Sequence, residues 1–152
     1  FRDVTTYVQS GNVVFKGATK SPTLITKRIE EKISSEFGFA VPVLLRTAEE
    51  LGDIVKGNAF VKDAAVDLAK LHVTFLSAVA PKTAAQRLEG LVVKPERFGI
   101  SGREIYLYCP NGYGNTKLSN TAIEKKLGAG ATTRNWKSVN ALLALANRSE
   151  PL

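Results

Sequence analysis

"RFGISGREIYLYCP", residues 97–110, decides the fold, because it reads as a strand, a Ser-Gly turn and a second strand. The stretches around it alternate in type. They are a strand at 71–77, a helix at 81–91 opened by Pro81, a helix at 118–128 stopped by Gly128, a strand at 131–136 and a closing helix at 137–147. This β-α-β-β-α-β order, with a hairpin at its centre, predicts a ferredoxin-like arrangement.

The first half of the chain has a similar order. "TTYVQSGNVVFKG", residues 5–17, predicts two strands around Ser10-Gly11-Asn12. A helix is predicted over 22–37, with Ser21 as N-cap, Pro22 at its first position and Gly38 as its stop. Apolar residues at helical spacing predict one buried face, formed by Leu24, Ile25, Ile29, Ile33 and Phe37. A strand at 40–46 and a helix capped by Thr47 and Glu50 follow.

The two halves align with each other. Ser10-Gly11 corresponds to Ser101-Gly102, and Arg46 corresponds to Arg134. The separations are 36 residues in the first half (46 − 10) and 33 in the second (134 − 101). We therefore predict an α+β protein built as a tandem duplication of ferredoxin-like units, with halves 1–68 and 69–152 and with helices on one face of each sheet.

The second half has a strand and a helix before its hairpin, whereas only nine residues precede Ser10. The first unit is therefore expected to lack its initial strand and helix. The chain contains no methionine, which favours a trimmed N-terminus. Residues 57–70 are weakly patterned and are expected to connect the halves.

Composition narrows the class of protein. Apolar residues make up 44% and charged residues 23% of the chain, which is typical of a globular protein. No apolar run reaches the roughly 18 residues of a membrane span, so no membrane partner is expected. Cys109 is the single cysteine; no internal disulfide can form, and a cytoplasmic location is expected. The formal charge of +7 is concentrated toward the C-terminus and favours nucleic acid or a phosphorylated small molecule as partner.

Few residues offer conventional catalytic chemistry. The single histidine, His72, lies in a predicted strand and is expected to be half-buried or at the surface. Cys109 lies in an apolar strand, where packing is the commoner role. One histidine and one cysteine do not make a metal site, and no pattern indicates a cofactor. An enzyme of this sequence would depend on Lys, Arg, Ser, Thr or Tyr.

"CPNGYGNTKLSN", residues 109–120, lies between a predicted strand and a predicted helix, where phosphate-binding loops occur. Lys117 offers a charge there, and Thr116 or Ser119 a hydroxyl. The spacing matches neither of the glycine-rich phosphate motifs, so a simple turn with an N-cap at Ser119 or Thr121 is the alternative. The candidate ligand-binding residues are Gly112, Tyr113, Gly114, Asn115, Thr116, Lys117, Ser119 and Asn120.

"TTRNWKS", residues 132–138, adds Arg134 and Trp136 to the candidates. An aromatic ring beside basic residues can stack a base, although such a tryptophan more often closes a core. The two stretches are expected at opposite ends of one helix and strand unless the far end of the strand curls back, and so need not form one site.

Three separated stretches carry a family resemblance: "TYVQSGNVVF", "GYGNTKLSN" followed by "IEK", and "TTRNWKSV". The chain resembles the bacterial family called domain of unknown function 1697 over essentially its whole length. The resemblance implies a tandem pair of ferredoxin-like units, and an N-terminal "LLRGINVGG"-like strand and first helix that this sequence does not contain. It implies no reaction. The motif positions are Ser10, Gly11, Asn12, Gly112, Tyr113, Gly114, Thr116, Lys117, Ser119, Asn120, Thr133, Arg134, Asn135 and Trp136.

Three functions follow as hypotheses. The first is binding of nucleic acid or a phosphorylated ligand through the basic glycine-rich loop. The second is an enzyme acting on a small phosphorylated or acyl substrate, with Lys117, Tyr113 or Ser119 polarising it. The third is an interaction protein that pairs through its sheet edges.

Overall fold

A computed structural model of the chain describes residues 1–7, 11–17 and 21–148. The chain divides into two compact units. The first comprises the described residues up to Gly52 and those from Asn140 onward, and the second comprises Asp53–Val139. The whole is a mixed α+β protein with two antiparallel sheets and five α-helices among the described residues. No helix in these ranges combines the length and apolar character that a membrane span requires.

The first unit begins with the predicted hairpin. Strands β1 (Arg2–Tyr7) and β2 (Asn12–Lys16) pair antiparallel, with Thr6 opposite Val13. Gly11 has a φ of 79° at the turn, and Ser10 lies outside the described residues.

Helix α1 (Pro22–Phe37) has the predicted ends. Ser21 accepts a hydrogen bond from the Leu24 N–H, and Gly38 adopts the left-handed conformation at a φ of 75°. The predicted buried face is formed in part: Ile25 is buried and Ile29 and Ile33 are half-buried, whereas Leu24 and Phe37 are exposed. Phe37 is 67% exposed.

The predicted strand over 40–46 is not formed. Pro42 has no backbone N–H to donate to a ladder, and the Val43 N–H donates instead to Oε1 of Glu30 at 2.9 Å. Helix α2 (Ala48–Lys56) then begins at the predicted capping box. The Glu50 N–H donates to Oγ1 of Thr47 at 3.1 Å, and the Thr47 N–H donates to Oε2 of Glu50 at 2.8 Å.

The second unit contains all of its predicted strands and helices. They are β3 (Leu71–Leu76), α3 (Ala84–Glu89), β4 (Arg97–Ser101), β5 (Glu104–Tyr108), α4 (Asn120–Leu127) and β6 (Ala131–Asn135), followed by α5 (Trp136–Arg148), which extends beyond the unit. The strand order is β4-β5-β3-β6, and each neighbouring pair is antiparallel.

Helices α3 and α4 cover one face of this sheet. Their side chains pack with alternate residues of β5 and with the loop that follows it; the fully buried members are Leu76, Leu88, Ile105, Leu107, Cys109, Leu118 and Ile123. Helices α3 and α4 therefore share one face of the sheet, while the last turn of α2 contacts the other.

The opposite sheet face is contacted by the end of α2 and by residues that we expected to form only a connection. Tyr106 donates from its hydroxyl to the Ile54 carbonyl at 2.7 Å, and the Phe60 ring lies 6.3 Å from the Tyr108 ring. Two short 3₁₀ turns, Ala59–Lys62 and Leu68–Lys70, lie in this covering segment. Burial raises the pKa of Tyr106 to about 12.

Candidate functional site

The loop between β5 and α4 is held by its own hydrogen bonds. The Gly112 N–H donates to the Cys109 carbonyl at 2.9 Å, and the Asn115 side-chain amide donates to the Asn111 carbonyl at 2.8 Å. Gly112 has a φ of 92°, a conformation that suits glycine. A 3₁₀ turn over Tyr113–Asn115 follows. The loop is therefore an ordered turn.

Two of the predicted ligand hydroxyls cap this turn and the helix. Oγ1 of Thr116 accepts from the Leu118 N–H at 3.1 Å, and Oγ of Ser119 accepts from the Ala122 N–H at 3.2 Å. Leu118 is fully buried and anchors the chain between two exposed residues, Lys117 and Ser119. Of the two N-caps predicted for this helix, Ser119 is the one formed.

A chain of part-buried hydrogen bonds links α4 to the sheet. The Thr133 hydroxyl on β6 donates to Oδ1 of Asn120 at 2.6 Å, and the hydroxyl oxygens of Thr74 and Thr133 are 2.7 Å apart. Because a hydroxyl has one hydrogen and that of Thr133 goes to Asn120, Thr74 donates to Thr133. The chain fixes the Asn120 amide with its oxygen inward, and Nδ2 has no hydrogen-bond partner among the described residues.

This contact corrects one expectation from the sequence. The loop and the strand containing Arg134 are not at opposite ends of the helix and strand. Because β6 runs back along α4 after the turn at Gly128, its second half returns to the first residue of the helix. The Asn120–Thr133 hydrogen bond joins the two stretches.

His72 lies beside this chain on the same sheet face. It is opposite Asn135 on β6 and opposite Leu107 on β5, and its ring stacks on the Tyr113 ring with centroids 4.9 Å apart and planes at 24°. Its Nδ1 atom is buried and has no hydrogen-bond partner in the described part of the chain. Burial lowers the pKa of His72 below its ordinary value of 6.5, which favours the neutral imidazole.

Arg134 points to the other sheet face, because alternate residues of a strand point to opposite sides. It lies opposite Val73, and its Nη1 donates to Oγ1 of Thr132 at 3.0 Å and to the Thr133 carbonyl at 2.9 Å. Burial lowers the pKa of Arg134. Trp136 is buried as the first residue of α5, as expected of a core tryptophan.

His72 and Thr74 are the site residues that sequence reasoning missed. The signal was present in "LHVTFL", where the polar residues recur two positions apart in an otherwise apolar strand and so share one face. Their partners are distant in sequence, with 59 residues separating Thr74 from Thr133. The strand pattern alone therefore could not identify them.

Two further features bear on the chemistry. Burial, assisted by nearby Glu96, raises the pKa of the Cys109 thiol to about 11, which leaves it protonated and unreactive. Across residues 1–7, 11–17 and 21–148, no group of three or more His, Cys, Asp or Glu side chains could hold a metal ion.

Comparison with known proteins gives one match. Residues 1–106 match the model of the family described as "Protein of unknown function (DUF1697)". The chain belongs to this family. No curated protein and no solved structure matches the chain. Membership of the DUF1697 family brings no substrate or partner with it, so the function has to be argued from the site.

Proposed function

We propose that the second unit binds a phosphate group, carried by a phosphorylated small molecule or by nucleic acid, at the start of α4. The observation that carries the proposal is the orientation of Asn120. Its oxygen is held by Thr133, so its Nδ2 donors are directed away from the sheet at the end of the helix where the dipole favours an anion.

The charge of the unit supports this proposal. Residues 53–139 contain 13 basic and 7 acidic residues, a net charge of +6, whereas the remainder of the chain contains 8 and 7, a net charge of +1. Lys117 is exposed in the loop next to the helix start. A positive surface of this kind attracts phosphates and makes their binding dependent on salt.

Of the two candidate binding positions, the start of α4 is favoured over the sheet face opposite α3 and α4, because that face is covered. Single-stranded RNA often stacks on aromatic residues of an open four-stranded sheet. In the second unit, Tyr106 is buried beneath Ile54 on the face opposite the helices. A ligand on that face would first have to displace the covering segment.

The test is a thermal-shift titration with pyrophosphate and adenosine 5′-phosphate at low salt, on the wild type and on Asn120→Asp. A ligand at 100 times its Kd stabilises a protein by about 2.7 kcal/mol. The aspartate keeps the oxygen that accepts from Thr133, but it removes two donors and adds a negative charge. We expect binding to fall at least about tenfold, while the free variant stays as stable as the wild type, because a carboxylate suits a helix N-terminus.

Asn111→Asp is the matched control, because it makes the same charge change on an exposed residue of the same loop. A smaller loss in this variant would assign the effect to the Asn120 donors. Equal losses of affinity in both variants would show that binding depends on general electrostatic attraction and not on the Asn120 donors. Unchanged binding in Asn120→Asp would refute the proposal.

We also propose that the two units share one ferredoxin-like plan, with a repeat boundary between residues 68 and 69. The second unit has the strand order of that plan, and the first contains the corresponding hairpin and helix. The compact units divide after Gly52, because residues of the 53–68 segment pack on the second sheet.

Pairing through sheet edges is a second candidate function, and the first hairpin favours it. Its sheet has two strands, and Val4 and Val13 on them are at least half exposed. Such edges accept further strands. Sedimentation of the wild type and a Val13→Lys variant tests it: concentration-dependent association that the lysine abolishes would support this role, and a monomer at all concentrations would exclude self-pairing.

The enzyme hypothesis has no observation in its favour. Ser119 is engaged as a helix cap, and Lys117 is exposed. We propose a cytoplasmic location, which the single, buried cysteine supports.

A further inference from the structure

Residues 59–65, which we call the strap, contact the sheet through one pair of opposite residues. Phe60 and Asp63 of the strap both meet Arg97 on β4. The guanidinium carbon of Arg97 lies 5.1 Å from the centroid of the Phe60 ring, and its Nη2 donates to Oδ2 of Asp63 at 3.1 Å. Tyr108, which is opposite Arg97 on β5, has its ring 6.3 Å from that of Phe60. These contacts of the strap therefore converge on Arg97 and Tyr108.

The backbone hydrogen bonds of the strap stay within its own segment. The Asp63 N–H donates to the Phe60 carbonyl at 3.2 Å, and the Val66 N–H donates to the Asp63 carbonyl at 3.1 Å. Oδ1 of Asp63 accepts from the Ala65 N–H at 2.9 Å. Among the residues that the structure describes, no backbone group of the strap pairs with a strand of the sheet. The strap can therefore leave the sheet without breaking a ladder hydrogen bond.

Burial fixes the two ends of the strap but not its middle. Asn58, directly before the strap, and Val66, directly after it, are 2% and 8% exposed. Every residue between them is exposed or half-buried. The side chains of the ion pair, Arg97 and Asp63, are 48% and 40% exposed, and ion pairs and cation–π contacts at such exposure are weak. A segment with so few buried contacts opens locally while the rest of the fold stays intact.

We propose that the strap opens from the sheet as one unit while the sheet stays folded, and that the Arg97–Tyr108 pair is the clasp that holds it closed. Opening uncovers a guanidinium and a tyrosine ring on neighbouring strands, so the strap controls access to this end of the sheet face. The inference does not depend on the proposed function, because the strap lies on the face opposite α3 and α4.

The test is limited proteolysis of the full chain by chymotrypsin, with the fragments identified by mass. Chymotrypsin takes an aromatic side chain into a hydrophobic pocket, so cleavage after Phe60 requires this ring to leave Arg97 and Tyr108. Cleavage after Phe75, which is 7% exposed on β3, reports unfolding of the sheet. We expect cleavage after Phe60 to come first and, corrected for protease activity, to depend little on urea, because a local opening exposes little surface.

The key variant is Arg97→Ala, which removes the cation–π contact and the ion pair together. We expect cleavage after Phe60 to become about 5- to 30-fold faster, because its rate follows the population of the open strap. Arg97→Lys keeps a charge near Asp63 but loses the planar group, and should give an intermediate rate. Arg87→Ala is the matched control: it removes an exposed arginine of α3 that donates to the Lys126 carbonyl, and it should leave the rate unchanged.

The ratio of the two cleavage rates keeps the test valid for a less stable variant. Global unfolding accelerates cleavage after both Phe60 and Phe75, whereas opening of the strap raises the ratio of the first rate to the second. The same urea dependence at both sites in the wild type would show that the strap leaves only when the sheet unfolds, and would overturn the inference. A ratio unchanged in Arg97→Ala, or raised equally in Arg87→Ala, would show that Arg97 is not the clasp.

Discussion

The two units use the same local signals but bury very different amounts of apolar surface. The helices α1 and α4 each have a serine N-cap and a left-handed glycine at the C-terminal end. Both units expose some large apolar residues, such as Phe37 in the first and Val79 in the second. Yet the second unit has a fully buried core between its sheet and helices, whereas among the described residues of the first unit the buried apolar side chains are those of Ile25 and Leu51. Capping therefore defines where a helix begins and ends, and does not determine what its face packs against.

The largest expected difference concerns side-chain truncation. Leu107→Ala removes a fully buried side chain from the second unit and is expected to cost about 2–5 kcal/mol of unfolding free energy. Phe37→Ala in the first unit removes a ring that is 67% exposed and is expected to change stability by less than about 0.5 kcal/mol. Urea unfolding of both variants measures this. A comparable cost for Phe37→Ala would mean that its ring is covered in solution.

The buried polar chain is the next feature to test. Thr133→Val removes the donor to Asn120 and leaves the buried Thr74 hydroxyl without its acceptor, which is expected to cost about 1–3 kcal/mol. Thr132→Val on the same strand is the control, because its hydroxyl accepts a hydrogen bond from the half-buried Arg134 and takes no part in the chain to Asn120. The double variant Thr74→Val/Thr133→Val should recover part of the loss, and chemical denaturation would detect a failure to do so.

The helix-ending glycines should behave alike in the two units. Gly38 and Gly128 have φ values of 75° and 70°, and an added Cβ would meet no atom within 4 Å at either position. Replacement by alanine is therefore expected to cost about 1 kcal/mol in each unit, from backbone strain alone. Gly90→Ala is the control, since Gly90 has a φ of −67° and should tolerate alanine. Unequal thermal shifts for Gly38→Ala and Gly128→Ala would show that one terminus is not as described.

The smallest effect on stability is expected from a change of pH, and it should be confined to the second unit. The folded protein holds the pKa of His72 below its ordinary value of 6.5, so the unfolded chain takes up a proton first as the pH falls. Stability should therefore decrease as the pH drops through about 6.5 and level off below the lowered pKa. Melting temperatures from pH 8 to pH 5 would measure this, and His72→Gln should flatten the profile. A profile unchanged by that substitution would assign the acid sensitivity to other groups.

The sequence predicted those parts of the fold that local chemistry determines. The capping box of Thr47 and Glu50, the caps of α1 and α4, and the hairpin at Ser101-Gly102 were all correct. The predicted strand over 40–46 was wrong, because a side chain of α1 takes the place of a neighbouring strand. The packing of residues 54–66 on the second sheet was missed, because a weak apolar pattern does not reveal which surface a segment contacts.

The candidate site was likewise predicted only where local sequence determines its structure. The loop and its turn residues follow from glycine spacing and a serine N-cap. The stack of His72 on Tyr113 and the chain from Thr74 through Thr133 to Asn120 join residues from separate elements. Those contacts are determined by strand register, which a single sequence leaves open.

The ionisation of the Tyr106 hydroxyl also provides a spectroscopic signal from the protein itself. Because this phenol is buried and donates to the Ile54 carbonyl, it ionises only near pH 12. The chain has four tyrosines, so the difference in ultraviolet phenolate absorbance between the wild type and Tyr106→Phe would report when the covering segment leaves the sheet, without any added label. Any ligand that displaced the cover would bring that absorbance change to a lower pH.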